Sequence, residues 1–386
     1  MVKTEAWLLH PFDKSDPNAP ALRYGPFEFA DPAEGETLVE PLYGCWEANL
    51  THALARTPID ICKARNEPNV VVGNCGVARV LKVVGKDHGL REGDFVIFGS
   101  GAHFDRFGYP ERVVGYDEPG SQGLLTKRAK FQTRALQKVP AETRHSLKQW
   151  AAFGVRYLTA WSAWKIAYAI WRVQMTERDM PAPFVWAWGG GTSLGTVHLA
   201  RTFGFPATMI ASGSYRAEQC HSIGVDVIDR SMLGAISYDE KRFGADADYR
   251  KEYRDAENRF AALVQSRTEG LGASIFFENL GAPVYRATLA ALARQGVVSS
   301  VGWKLGMMTS SARAIECIKR HVHVHTHYAR EGDSPDAVMH AEKTGWMPLM
   351  KADERVWAFD EVPALASEFA AGKIESYFPI YSINPV

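Results

Sequence analysis

The chain has 386 residues, 46% of them hydrophobic and 23% charged, which suffices for more than one buried core. Its 44 basic residues cancel its 44 acidic ones, so no global field exists to gather nucleic acid or an anionic membrane. The five cysteines are scattered and lack a CxxC pair, which fits reduced thiols of a cytoplasmic protein better than a disulfide framework or a closed zinc knot. No basic segment followed by an apolar core opens the sequence, so no signal peptide is expected. The apolar stretch from Ala151 to Trp171 is interrupted by Arg156 and Lys165 and reads as a buried or amphipathic helix, not a membrane span.

The first part of the chain is strand-like. Short runs at Thr37–Pro41, Val70–Val72, Ala78–Val84 and Phe95–Gly99 alternate with Gly, Pro and Asp turn signals. Apolar residues at helical spacing then predict a helix over Ser146 to Arg172, followed by a strand at Phe184–Trp188. A glycine cluster leads into a helix from Val197 to Phe203, and Ala207–Ala211 is the next strand. Strand, glycine turn, helix and strand within about thirty residues form a βαβ unit, and such units build a mostly parallel sheet covered on both faces. Val225–Ile228 continues the alternation, and the charged stretch Asp229 to Arg259 interrupts it as a solvated excursion ending in a helix. Strand Ala273–Phe277, helix Tyr285–Gln295, strand Val297–Val301, a short helix over 313–320 and a last strand over 321–328 follow. The tail, with a helix at Ala364–Gly372 and a strand at Tyr377–Ile383, returns to the texture of the first part.

The segment Gly189-Gly190-Gly191-Thr192-Ser193-Leu194-Gly195 lies between a strand and a helix, the context a dinucleotide pyrophosphate needs. Amides at the helix start supply donors and the positive end of the dipole, and small residues permit close approach. The match to GxGxxG is imperfect, with Thr192 at the middle position. After the next strand come Ser212, Gly213, Ser214, Tyr215 and Arg216, with no acid until Glu218. Hydroxyls and a cation there suit a 2′-phosphate, so NADPH is the expected cofactor.

Taken in order, these features resemble the medium-chain dehydrogenase/reductases over nearly the whole chain. Gly44-Cys45 follows an early strand, Gly93-Asp94 precedes another, Leu158-Thr159-Ala160-Trp161 comes before the glycine turn, and the tail returns. The resemblance implies an α/β fold: a doubly wound Rossmann domain at 156–328 inserted in a GroES-like, β-rich catalytic domain at 1–155 and 329–386. Zinc alcohol dehydrogenases of this superfamily carry three catalytic zinc ligands. Cys45 stands at the first place, but Asn74 stands at the second and Phe153 at the third, so no metal is expected and the thiols read as buried core. Trp186-Ala187-Trp188-Gly189, Phe276 to Gly281 and His327-Tyr328 resemble the zinc-free enoyl-thioester reductases, particularly the crotonyl-CoA reductase/carboxylase branch, and the quinone reductases. The tyrosine that donates a proton in many such reductases is missing around Trp46–Asn49.

The resemblance thus implies an NADPH-dependent, zinc-independent reductase of an α,β-unsaturated carbonyl or enoyl thioester. A zinc alcohol dehydrogenase with altered ligands, or a catalytically impaired nucleotide-binding protein, are the alternatives. Thr159 matches the position that touches the nicotinamide end of the cofactor in relatives. Asn279, Gly281, Gly302 and Trp303 follow strand ends, where open α/β sheets bind ligands. Glu47 and His327 are the candidate proton donors: the first lies two residues after Cys45, the second near the C-terminal end of the last strand. In His321-Val322-His323-Val324-His325-Thr326-His327 the imidazoles alternate with other residues, so they share one face of a strand. That strand is expected to join a homodimer.

Overall fold

The computed structural model describes all residues except 17–18, 86–88, 100–102, 303, 307–321 and 327–328. The described residues fall into two units, Met1–Leu158 with Ala329–Val386, and Thr159–Tyr328. No helix among them is long and apolar enough to cross a membrane.

In the first unit the strands Glu36–Cys45 and Gly76–Val83 pair antiparallel, burying Val39, Leu42, Val77 and Val80. The tail strand Ile380–Ser382 pairs with Glu36–Cys45 on its other side. Gly44 is required at this crossing. A Cβ there would lie 2.1 Å from the Tyr381 ring, its cross-strand partner. Trp46, Leu50, Ile61, Val70, Leu125, Trp357, Val362 and Tyr381 form the adjoining core. The start of the helix Leu147–Gln174 packs within the same unit, where Trp150, Phe153 and Tyr157 are buried and Phe153 and Tyr157 each meet Trp346.

The second unit is built on a parallel sheet. Its strand order is Asp226–Asp229, Ala207–Ala211, Val185–Trp188, Ala273–Phe277, Leu292–Ser300, His323–Thr326. Counted in chain order this is 3-2-1-4-5-6, the doubly wound arrangement with its switch point between the first and fourth strands. Trp186, Trp188, Phe260 and Phe276 fill the core beside the sheet, and the Trp188 indole donates to Thr288 Oγ1 at 2.6 Å.

Several boundaries differ from the sequence expectation, most of all around the sheet of the second unit. The helix after the glycine cluster begins at Gly191, not Val197, so Thr192 to Gly195 lie inside its first turns. The helix expected from Tyr285 begins at Ala282, capped by Gly281 with Pro283 in its first turn, and ends at Ala291. The following strand starts at Leu292 and absorbs a left-handed Gln295 (φ 60°). The charged excursion is more ordered than a solvated loop: helices Glu240–Ala245 and Ala247–Ser266 are capped by Asp239 and Asp246, and the second buries Tyr249, Tyr253 and Phe260. The expected helix over 313–320 lies outside the described residues, as do the ends of the expected last strand.

Candidate functional site

At the C-terminal edge of the parallel sheet, Gly190 caps the helix Gly191–Thr202 with φ 149°, a conformation that favours glycine. A Cβ on Gly190 would meet nothing within 4 Å, so the turn faces open space. Gly189 is tight on its other side, where a Cβ would lie 3.3 Å from the Ile210 carbonyl oxygen. Gly189, Gly190, Gly191 and Thr192 are partly exposed, and no acidic residue occupies the first turn of the helix. Ser193, Leu194 and Gly195 are buried.

The next strand end carries Ser212 and Ser214, both exposed, with the left-handed Gly213 (φ 86°) between them. Arg216 follows in the first turn of the helix Ser214–Ser222, again without an acid in that turn. Opposite, across the switch point, Asn279 donates to Ser193 Oγ at 3.0 Å and accepts from the Val301 amide at 3.0 Å. Gly281 is a buried helix cap (φ 103°), and Gly302 is half-buried beside the end of its strand, where its carbonyl accepts from Ser300 Oγ at 3.0 Å. Thr159 is buried in the helix Leu147–Gln174. Trp303 and His327 lie outside the described residues.

Glu278 carries a signal that sequence reasoning missed. Its side chain is fully buried, and Oε1 accepts from the Leu280 and Gly281 amides at 2.6 and 2.8 Å. Its Oε2 is buried without a hydrogen-bond partner. Burial pushes the carboxyl up to about 7, against the two amides that stabilise its charge.

In the first unit a second cluster forms around Cys45. The Cys45 amide donates to the Cys75 carbonyl at 3.0 Å across neighbouring strands, and Glu47 follows just before the helix Ala48–Ala55. Donor atoms of Cys45, Glu47 and Cys75 all lie within 4.8 Å of one another, and among the described residues no other such group is found. Arg156 enters this cluster from the long helix. Its Nη1 lies 2.6 Å from Cys45 Sγ and 3.0 Å from Glu47 Oε1, and its Nη2 donates to the Trp46 carbonyl at 2.7 Å. The Phe378 ring lies 5.4 Å away over the guanidinium.

All four side chains are buried. Glu47 is therefore no surface acid. Although it precedes a helix, its side chain makes no capping bond. Burial raises its carboxyl above the ordinary range, with Arg156 and then Cys75 opposing. The Tyr381 hydroxyl is also buried without a partner, and burial followed by the neighbouring Cys45, Cys75 and Glu47 pushes it well up. The sequence held one sign of this cluster: an arginine within an otherwise apolar helical run requires a buried partner.

A zinc ion does not fit the cluster as it stands. Two thiols and a carboxylate are suitable donors. The guanidinium, which has no lone pair to offer, already occupies the contacts of Cys45 and Glu47.

No protein-family model matches the sequence, and no curated protein matches it. Solved structures do. A crotonyl-CoA carboxylase/reductase, AntE in complex with NADP, superposes with a TM-score of 0.78 at 19% identity over 98% of this chain and 94% of the other. The 2-octenoyl-CoA carboxylase reductase CinF, in complex with NADP and 2-octenoyl-CoA, gives 0.77 at 17% identity over 98% and 87%. An alcohol dehydrogenase from Thermotoga maritima gives 0.74 at 18% identity over 99% and 100%. The chain therefore has the fold of the medium-chain dehydrogenase/reductases, a Rossmann sheet inserted in a GroES-like, β-rich domain.

Proposed function

We propose that the protein is an NADPH-dependent, zinc-independent reductase of an α,β-unsaturated carbonyl, including an enoyl thioester. The observation that carries this reading is the open glycine turn at the switch point of the doubly wound sheet, with Ser212, Ser214 and Arg216 at the next strand end. Amides of Gly189 to Thr192 would hold the pyrophosphate, and the two serines with Arg216 the 2′-phosphate. Asn279 holds the turn in shape through Ser193, and Thr159, Gly281, Gly302 and Trp303 would border the nicotinamide end.

NADPH, when bound, supplies the hydride for the β-carbon of the substrate, and a proton must then reach the α-carbon. Glu47 and His327 are the proposed sources of that proton. Burial favours the protonated form of Glu47, as a general acid requires. Structures of the same fold bound to NADP and to an enoyl-CoA support the cofactor and the substrate class. We further place the protein in the cytoplasm, where its described cysteines, all free, would stay reduced, and read it as a homodimer joined through His323–Thr326.

The test is NADPH oxidation followed with a panel of enones and enoyl thioesters. Turnover with NADPH, abolished in the absence of the double bond, supports the reading. Tight NADPH binding with no turnover on any member would make the protein a nucleotide binder without this chemistry. For the proton, Glu47→Gln and His327→Asn are compared. Loss of about 10²–10⁴-fold in turnover with NADPH binding intact identifies the donor, and parent rates in both variants remove both candidates.

A further inference from the structure

Cys45, Glu47 and Cys75 present two sulfurs and a carboxylate oxygen within 4.8 Å of one another. Ligand atoms around a tetrahedral zinc stand about 3.3–3.8 Å apart, so no pair of the three needs to close by more than an ångström or so to bind one. Their backbone is already fixed. Cys45 ends one strand and Cys75 immediately precedes its partner strand, the two joined by an amide-to-carbonyl bond of 3.0 Å, and Trp46 is tied on both sides, its amide to the Pro379 carbonyl at 2.9 Å and its carbonyl to Arg156. A preformed set of three donors with a vacant fourth direction is the form of an open metal site. Here one feature fills it: the Arg156 guanidinium, held 2.6 Å from Cys45 Sγ and 3.0 Å from Glu47 Oε1.

We infer that Arg156 is the resident cation of this three-donor cage, and that its removal opens the cage to a divalent metal. The charge count supports this. The guanidinium is a fixed positive charge beside the three donors, and a dication placed a few ångströms from it would be repelled in a poorly screened interior. Without Arg156 the two thiols and the Glu47 carboxyl stand with no cation beside them. A divalent ion then takes the three donors as ligands, releasing their protons to solvent. The Arg156 cation is fixed at all working pH values and offers no exchangeable coordination position. The inference concerns the first unit alone and stands whether or not the reductase reading holds.

The experiment titrates the full-length chain with cobalt(II), whose thiolate charge-transfer and tetrahedral ligand-field absorptions report the ligands directly. Wild type, Arg156→Lys, Arg156→Ala and Arg156→Ala with Cys45→Ser are compared. The expected result is one cobalt per chain with a two-thiolate spectrum in Arg156→Ala only, with affinity on the order of 100-fold above wild type. Arg156→Lys keeps the cation and stays cobalt-free, and adding Cys45→Ser removes one thiolate from the spectrum. Zinc should raise the melting temperature of Arg156→Ala and leave wild type unmoved.

Stoichiometric cobalt on the wild-type Cys45 and Cys75 thiols overturns the inference, as does a folded Arg156→Ala chain that binds none. If Arg156→Ala does not fold in metal-free buffer, it is refolded with cobalt present. Recovery of the fold with the two-thiolate spectrum supports the inference, and a chain that stays unfolded overturns it.

Discussion

Asn279 donates its side-chain amide to Ser193 Oγ at 3.0 Å, tying the loop after the fourth strand of the parallel sheet to the helix that opens the glycine turn. The same side chain accepts from the Val301 amide at 3.0 Å, so one residue holds loops from three strand ends. This arrangement makes Asn279 a positioning residue, with its polar atoms committed to the protein.

Asn279→Ala should therefore weaken NADPH binding without altering the preference over NADH. Each lost hydrogen bond is worth about 1 kcal/mol, and part of that loss falls on the turn, which gives roughly a tenfold rise in Kd. Fluorescence titration with both cofactors checks this. An unchanged Kd, with a melting temperature lowered by a few degrees, would mean that the bond serves stability alone.

Arg216 is the proposed partner of the cofactor's 2′-phosphate. A charge-assisted bond to a 2′-phosphate is worth about 1.5–3 kcal/mol, so Arg216→Ala should raise the Kd for NADPH by about 10- to 150-fold. NADH, which has no such phosphate, should bind nearly as before. Equal weakening of both would remove Arg216 from the phosphate site.

Glu278 predicts a pH dependence of stability. Its folded-state carboxyl titrates at about 7 against an ordinary 4.5, so the folded chain holds a proton that the unfolded chain releases. The stabilisation is complete below the unfolded value and is lost as pH rises through about 7. A shift of this size corresponds to about 3 kcal/mol. Glu278→Gln keeps an oxygen for the Leu280 and Gly281 amides and removes the charge. Denaturant unfolding between pH 5 and pH 8 should show wild type losing stability across that window and the variant staying flat by comparison. Parallel curves for the two proteins would place the titration elsewhere.

The sheet of the second unit was legible because parallel strands buried on both faces read as short apolar runs: Ala207–Ala211 and Ala273–Phe277 match the structure at both ends. Helix starts were harder to read. Glycine at Gly191 and proline at Pro283 are poor helix formers by propensity, yet they suit the first turn, where amides need no intrahelical partner. The Cys45 cluster was only half legible. Cys45 and Glu47 stood out in the sequence, whereas their contacts with Cys75 and Arg156 span 30 and 111 positions, and one residue type at a distance leaves no periodic trace. Glu278 left no trace at all, since its raised pKa follows from burial that only the packed chain creates.

The strand His323–Thr326 is the edge of the parallel sheet among the described residues, paired on one side with Leu292–Ser300. Val324 is 59% exposed on it, and His323 is tied to Gln295 Oε1 at 3.2 Å. An edge with an exposed valine and no protecting charge invites pairing with a second copy. Light scattering at neutral pH should therefore give a mass of two chains. Val324→Lys places a charge on the edge without disturbing the core and should yield a folded monomer with an unchanged circular dichroism spectrum. Burial holds His325 below its ordinary range, so charging it is unfavourable. A subunit contact would bury that charge further, and the dimer should loosen as pH falls into the acid range. A wild-type monomer at neutral pH, or a dimer indifferent to Val324→Lys, would place the subunit contact on another surface.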